Sequence, residues 1–290
     1  MLEQPARRGG EVEAGREFPF STEDFDQVRR LIHDHAGISL SPGKQEMVYS
    51  RLARRLRANG LSRFSDYLAL LHDRSGVEWE AFTNALTTNL TAFFREPHHF
   101  PMLAERVRSV PAHRPVRLWC AASSTGEEPW SMAMTCVEAL GSFTPRIEIL
   151  ASDLDTNVLA RAEQGVYAAE RIDKLSETRK RRFLVEEPAT GQMRIRSELR
   201  ALVGFRRINL LDSRYPACGP FDAIFCRNVM IYFDKPTQYR ILQRFVPLLR
   251  PDGLLFAGHS ENFYHAADLF RLRGRTVYEL ADPSRGWCGA

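Results

Sequence analysis

Hydrophobic and polar positions change their rhythm once along the chain. From Ser21 to about Arg108 the spacing is helical. In STEDFDQVRRLIHDHAG, Phe25, Val28, Leu31 and Ile32 form one stripe behind a cap residue, Ser21 or Thr22, and Gly37 stops the run. SPGKQEMVYSRLARRLRANG predicts a second helix ended by Gly60. Its apolar stripe is Met47, Val48, Leu52 and Leu56, and Lys44, Arg51, Arg54, Arg55 and Arg57 mostly fill the other side. RFSDYLALLHD and VEWEAFTNALTT predict two more helices, and no period-two alternation interrupts them.

After PAHRP, apolar strands alternate with helices. VRLWCAA, RIEILASD, FDAIFCRNVM and GLLFAGH read as strands. EEPWSMAMTCVEALG, DTNVLARAEQG and KPTQYRILQRFVPLL read as helices, the last ending at a Pro-Asp-Gly turn, and FRLRGRTVYEL as a final hairpin or pair of edge strands. This order predicts a mostly parallel sheet covered on both faces, with ligands at the carboxyl ends of its strands. A charged block, Glu170 to Leu210, breaks the rhythm. Within it RFLVEEPATGQMRIRSEL suggests short antiparallel strands around a Pro/Gly turn. The expected division is a flexible tail at 1–19, an all-helical domain at 20–88, a linker and helix contributing to the site at 89–112, and an α/β domain at 113–282 with an antiparallel insertion at about 170–200.

The 290 residues are 44% hydrophobic and 26% charged, with a net charge of +4. The charge permits an acidic partner without demonstrating one. Five cysteines without a CxxC pair argue against a disulfide framework or a zinc ribbon; Cys120 and Cys226 lie in apolar runs as core residues. A reducing, cytoplasmic setting follows. No segment approaches 18 consecutive apolar residues, so no membrane span is expected, and MLEQPARRGGEVEAGREF has no apolar signal core.

The turn after the first strand, CAASSTGEEPWSMAM, lacks both GxGxxG and GxxxxGK[ST]. Glu127 and Glu128 stand at the helix start, where a phosphate would meet no carboxylate, so a cofactor carrying positive charge fits better. Asp153, ending the second strand, is placed to accept hydrogen bonds from ribose hydroxyls; Asp155 suits the N-cap of the next helix. Ribose recognition without phosphate machinery points to S-adenosylmethionine. In FDAIFCRNVMIYFD a strand runs straight into Arg227, Asn228 and Tyr232. They face a ligand, or on the plainer reading they cap and pack a strand end.

Five stretches, TTNLTAFFREPHHF, AASSTGEEPWSMAM, ASDLDTNVLARA, RRINLL and FDAIFCRNVMIYFD, together resemble the chemotaxis receptor methyltransferase family, CheR, in order and spacing. The resemblance covers about Phe20 to Leu280. It implies an all-α domain, then a Rossmann-like S-adenosylmethionine-dependent methyltransferase domain with a small antiparallel β insertion. It also implies methylation of glutamate side chains on chemoreceptor cytoplasmic domains, with S-adenosylhomocysteine as product. By that resemblance Asn89, Thr91, Arg95, Glu128, Asp153, Asn209, Leu210, Arg227 and Asn228 are the cofactor-binding residues. Between Glu127 and Glu128 the second is favoured. Arg95 and Tyr232 are the catalytic pair.

The basic helix bearing Arg51, Arg54 and Arg55 becomes a docking face for an acidic receptor bundle, the plainer alternative being a solvated face. The insertion is a candidate site for a receptor C-terminal peptide added as a strand. No metal is expected: His98 and His99 are adjacent, should diverge on a helix, and should begin or cap the helix after Pro97. Phe93, Phe94 and Phe100 read as packing groups. A monomer without nucleic-acid partners is expected, since no nucleic-acid-binding motif is present. A methyltransferase of another substrate and a non-catalytic cofactor-binding signalling module are the alternatives.

Overall fold

A computed structural model describes residues 16–72, 76–216 and 219–287, which separate into two compact units between Thr87 and Thr88. The first unit is all helix: α1 Thr22–Ala36, α2 Gln45–Ala58, α3 Phe64–Leu70 and α4 Val77–Leu86. Ser21 caps α1 in a capping box with Asp24, and Gly37 ends it in the left-handed region at φ 69°. Val28, Ile32, Val48, Leu52, Leu56 and Phe82 are buried at its centre. Residues 1–15 of the expected tail lie outside the described residues. Phe18, at the tail's far end, is buried, and its N–H donates to the Tyr49 hydroxyl at 3.3 Å, so the packed unit begins before residue 20.

The second unit opens with α5 His99–Ser109. It continues through β1 Val116–Cys120, α6 Glu127–Leu140, β2 Ile147–Asp153, α7 Thr156–Gln164, β3 Val166–Tyr167, α8 Glu177–Phe183, β4 Leu184–Glu186, β5 Met193–Ile195 and α9 Ser197–Arg200. It ends with β6 Val203–Arg207, β7 Phe221–Phe225, α10 Lys235–Phe245, β8 Leu249–Phe256, β9 Phe270–Gly274 and β10 Val277–Leu280. The main sheet has the order β6-β2-β1-β7-β8-β10-β9; its first five strands are parallel and β10 is antiparallel to both neighbours. Alternate side chains of β1 enter opposite layers. Leu118 and Cys120 join the core with Phe100, Leu103 and Trp130, while Trp119 and Ala121 join the one with Ile241 and Phe245. The insertion is a three-stranded antiparallel sheet, β3-β5-β4.

Two elements differ from expectation. Val203–Arg207, inside the charged block but beyond the expected insertion, is a parallel edge strand of the main sheet, where no strand was expected. Its one-sided exposure left no continuous apolar run. The Pro251-Asp252-Gly253 stretch lies within β8, not before it. It bulges out where Phe221 pairs with Leu249 and Ala223 already pairs with Leu254. At the N-terminal end of the sheet, fully buried Asp222 accepts from Arg106 at 2.9 Å, from Arg114 at 2.8 Å and from the Arg117 N–H at 2.9 Å, tying α5 to β7.

Candidate active site

The residues singled out from the second unit lie in the loop from Asn89 to Arg95 and at or beyond the carboxyl ends of β1, β2, β6 and β7. Beyond β1 the chain turns sharply: Ser124 has φ 47° and Gly126 φ 97°. A Cβ at Gly126 would lie 2.8 Å from the Tyr167 hydroxyl and 2.9 Å from both Ala162 Cβ and Trp130 Nε1, so only glycine fits. Asp153 Oδ2 accepts the Ser124 N–H at 2.8 Å and its Oδ1 the Asp155 N–H at 3.0 Å. Burial pushes the Asp153 carboxyl up to about 6, against the pull of those two N–H groups. Asp155 caps α7, as expected, and also accepts from Asn89 Nδ2 at 2.8 Å.

The loop from Asn89 to Glu96 crosses these strand ends. Ser124 Oγ donates to the Asn89 carbonyl at 2.9 Å, and farther on Arg227 Nη2 donates to the Arg95 carbonyl at 2.7 Å. Phe93 is buried edge-on against Tyr167, with ring centroids 5.0 Å apart, and Phe94 packs its face under the Arg179 guanidinium at 3.8 Å. Thr91 lies partly buried between these anchors. The Arg95 guanidinium folds back to donate to the Leu90 carbonyl at 2.8 Å.

Glu127 and Glu128 point to different partners. Glu127 is fully buried, accepts from Thr125 Oγ1 at 2.7 Å and pairs with Arg171 of the insertion. Glu128 accepts from Arg227 at 2.6 Å and from the Cys120 thiol. Burial raises the Glu128 carboxyl and the Arg227 charge opposes that rise. Arg227 therefore stands at the centre of a buried cluster of Glu128, Glu96 and the Arg95 carbonyl. Asn228 has φ 58°, unusual for a non-glycine residue, and its side chain donates to Glu96 at 3.2 Å. Tyr232 ends a short 3-10 turn after β7, partly buried. Asn209 and Leu210 follow β6. The Asn209 side chain accepts the Leu211 N–H at 3.0 Å, and the Leu210 carbonyl accepts the Tyr215 hydroxyl at 2.8 Å.

Four participants escaped the sequence reading. Glu96 accepts from Asn228 and from His259 Nδ1 at 3.0 Å. Burial alone would raise its carboxyl, but the His259 and Asn228 hydrogen bonds and the Arg227 charge bring it down to about 2. Glu261, nearly buried, accepts the N–H groups of Asn228 at 3.0 Å, Met230 at 2.7 Å and Gly258. Gly258 lies so close to Asn228 that a Cβ would sit 2.3 Å from its Nδ2. The available signal was GHSEN, a glycine and a carboxylate directly after an apolar strand.

These residues suit a cofactor bearing an amine, a ribose and a sulfonium. Ser123, fully buried in the β1 turn, has a hydroxyl without a hydrogen-bond partner, and acidic groups occupy the helix start where a phosphate would need bare N–H groups. Residues 89–278 match the family model described as the CheR methyltransferase SAM-binding domain, and residues 23–87 match that of the CheR methyltransferase all-alpha domain. The chain belongs to the CheR methyltransferase family. The "Chemotaxis protein methyltransferase 2" of Pseudomonas aeruginosa is 55% identical over 280 residues, spanning 96% of this chain and 100% of the relative. Those named "Chemotaxis protein methyltransferase" from Klebsiella aerogenes (54% over 280 residues; 95% and 96% of the two chains) and Escherichia coli (53% over 260 residues; 89% and 90%) are similar throughout as well. This CheR-family chain is thus an S-adenosylmethionine-dependent methyltransferase of chemotaxis. No helix among the described residues is long and apolar enough to cross a membrane.

Two expectations for the CheR chain need amendment. The docking arginines are not three free cations. Arg55 forks onto Glu78 with bonds of 3.0 and 2.6 Å, and Arg51 donates to the Thr87 carbonyl at 2.6 Å, whereas Arg54 is exposed. His98 and His99 do cap and begin α5, as expected, but their rings do not diverge: the centroids are 4.2 Å apart even though His98 has helical dihedrals.

Proposed function

We propose that this protein methylates glutamate side chains on the cytoplasmic domains of chemoreceptors, giving glutamyl methyl esters. The observation that carries the reading is the Arg95 guanidinium. It sits on the loop that roofs the site, and its one hydrogen bond among the described residues is to a backbone carbonyl. A carboxylate is the partner that such a cation would take in preference.

When bound, S-adenosylmethionine supplies an electrophilic methyl group on a positive sulfur. Asp153, with two acceptor oxygens at the end of β2, is placed for the ribose hydroxyls. Glu128 with Arg227, and Asn228 on its strained backbone, line the methionine side, and Asn209 and Leu210 flank the adenine. Asn89 and Thr91 close the loop over them. A glutamate acceptor has an ordinary pKa near 4.3 and is already ionised at neutral pH, so no general base is required. Transfer of that methyl group to a carboxylate oxygen would require no proton to move, so the residues here would need only to hold and orient the acceptor. Charge is neutralised in that step, so strong stabilisation of the separated charges would slow it. Arg95 and Tyr232 serve by aligning the acceptor, and the roofing loop by excluding water.

Arg54 is the cation of α2 that remains available to an acidic receptor helix, and the outer edge of β4, where Val185 is exposed, offers backbone groups to an added peptide strand. Incubation with methyl-labelled cofactor and receptor cytoplasmic fragments tests the reading. Label should enter the fragment and leave as methanol in mild base. Base-stable label, or none on any acidic receptor fragment, would overturn it.

A further inference from the structure

Glu96, His98 and His99 each bring one metal-ligand atom within 4.8 Å of the other two. His99 is fully buried, and its Nε2–H donates to the Arg275 carbonyl at 3.0 Å. That bond fixes the tautomer and leaves a lone pair on Nδ1. Nδ1 has no hydrogen-bond partner and lies 3.8 Å from Glu96 Oε2, which makes no hydrogen bond either and has the Arg227 guanidinium 3.2 Å away on its other side as ion-pair partner. Two buried acceptors facing each other repel unless a cation or proton stands between them. An imidazole with its remote nitrogen tied to a backbone carbonyl is the usual posture of a metal ligand. The chain also spends backbone strain here, with Phe94 at φ 50° and Glu96 at φ 54°.

We propose that Glu96 Oε2, His98 and His99 Nδ1 bind one divalent transition-metal ion of the zinc type, with water as the fourth ligand. Two imidazoles and a carboxylate are a donor set that zinc accepts. Ligands about 2.0–2.1 Å from a tetrahedral ion lie roughly 3.3 Å apart, so the cluster tightens on binding, and the partly exposed His98 is the side chain free to close it. The Arg227 guanidinium, 3.2 Å from Glu96 Oε2, opposes the ion, which makes the site one of modest affinity. The ion takes Glu96 away from Arg227, so on the methyltransferase reading it inhibits.

The test uses Co2+ on the untagged full chain and reads visible absorption, which does not depend on the identity of the methyl acceptor. One equivalent should give the intense bands of four-coordinate cobalt, bleached by Zn2+. His98→Gln should weaken Co2+ at least tenfold while leaving circular dichroism and metal-free cofactor binding unchanged. His113→Gln, at an exposed histidine elsewhere, should bind as the parent does. Absence of the bands, or equal Co2+ affinity in His98→Gln, would overturn the site.

Discussion

Replacing Gly258 by Ala isolates the packing that holds Asn228. The new Cβ would stand 2.3 Å from Asn228 Nδ2, 2.8 Å from its Cγ and 2.9 Å from its backbone N. Carbon and nitrogen do not approach below about 3.4 Å without cost, so the Asn228 side chain must move by more than about 1 Å. The backbone contact prevents relief by side-chain rotation alone. Overpacking of this kind costs about 1–3 kcal/mol of stability. The displaced amide loses its bond to Glu96 and, on the proposed reading, one to the cofactor. One such bond is worth about 1–2 kcal/mol, so cofactor Kd should rise roughly 5–30-fold. Titration calorimetry with S-adenosylhomocysteine measures this, and urea denaturation measures stability. Gly204→Ala is the control, since a Cβ there meets nothing within 4 Å. A Gly258→Ala protein that binds the cofactor as tightly as the parent would refute the placement of Asn228.

Cofactor affinity should fall as pH drops through about 6, where Asp153 takes up its proton and loses an acceptor, and Asp153→Asn should bind weakly with no such pH step. The sign for stability is opposite. Because the folded-state pKa lies above the usual 3.8, the cofactor-free protein should lose stability as pH rises from about 4 to 6, by a change absent in Asp153→Asn denaturation curves. Arg54→Glu should raise the KM for receptor fragments at unchanged melting temperature. Arg55→Glu breaks the fork to Glu78 and should also destabilise, by about 1 kcal/mol or more. Arg95→Ala gives up a single bond to a carbonyl, so urea midpoints should shift by no more than about 1 kcal/mol while receptor methylation falls at least tenfold. Near-normal turnover would remove Arg95 from the mechanism.

The alternation of strands and helices after Pro115 was legible because buried parallel strands leave unbroken apolar runs, as in Leu118–Cys120 and Ala223–Cys226. The Asp155 cap was legible because its bonds reach only two and three residues ahead. Edge strand β6 was not, since Gly204, Arg206 and Arg207 face solvent and mimic a loop. Nor was the pairing of Glu128 with Arg227, 99 residues apart in sequence and joined only because β1 and β7 are neighbours in the sheet. Glu96 and Glu261 were missed for a different reason. Apart from the GHSEN stretch that holds Glu261, what singles them out is the backbone N–H groups and the one amide aimed at them, which residue spacing does not encode.

Glu127 carries a further consequence. A buried carboxylate in the first turn of α6 has its cation, Arg171, within the three-stranded insertion, on the segment that follows β3. The two ends of that ion pair belong to parts with different ligands, the cofactor on one side and any strand added to β4 on the other. On the proposed reading, a ligand of the insertion that shifts Arg171 should alter cofactor affinity, and linkage then requires the cofactor to alter that ligand's affinity by the same factor. Measuring peptide binding with and without S-adenosylhomocysteine would read this reciprocity directly, and Arg171→Ala should erase it.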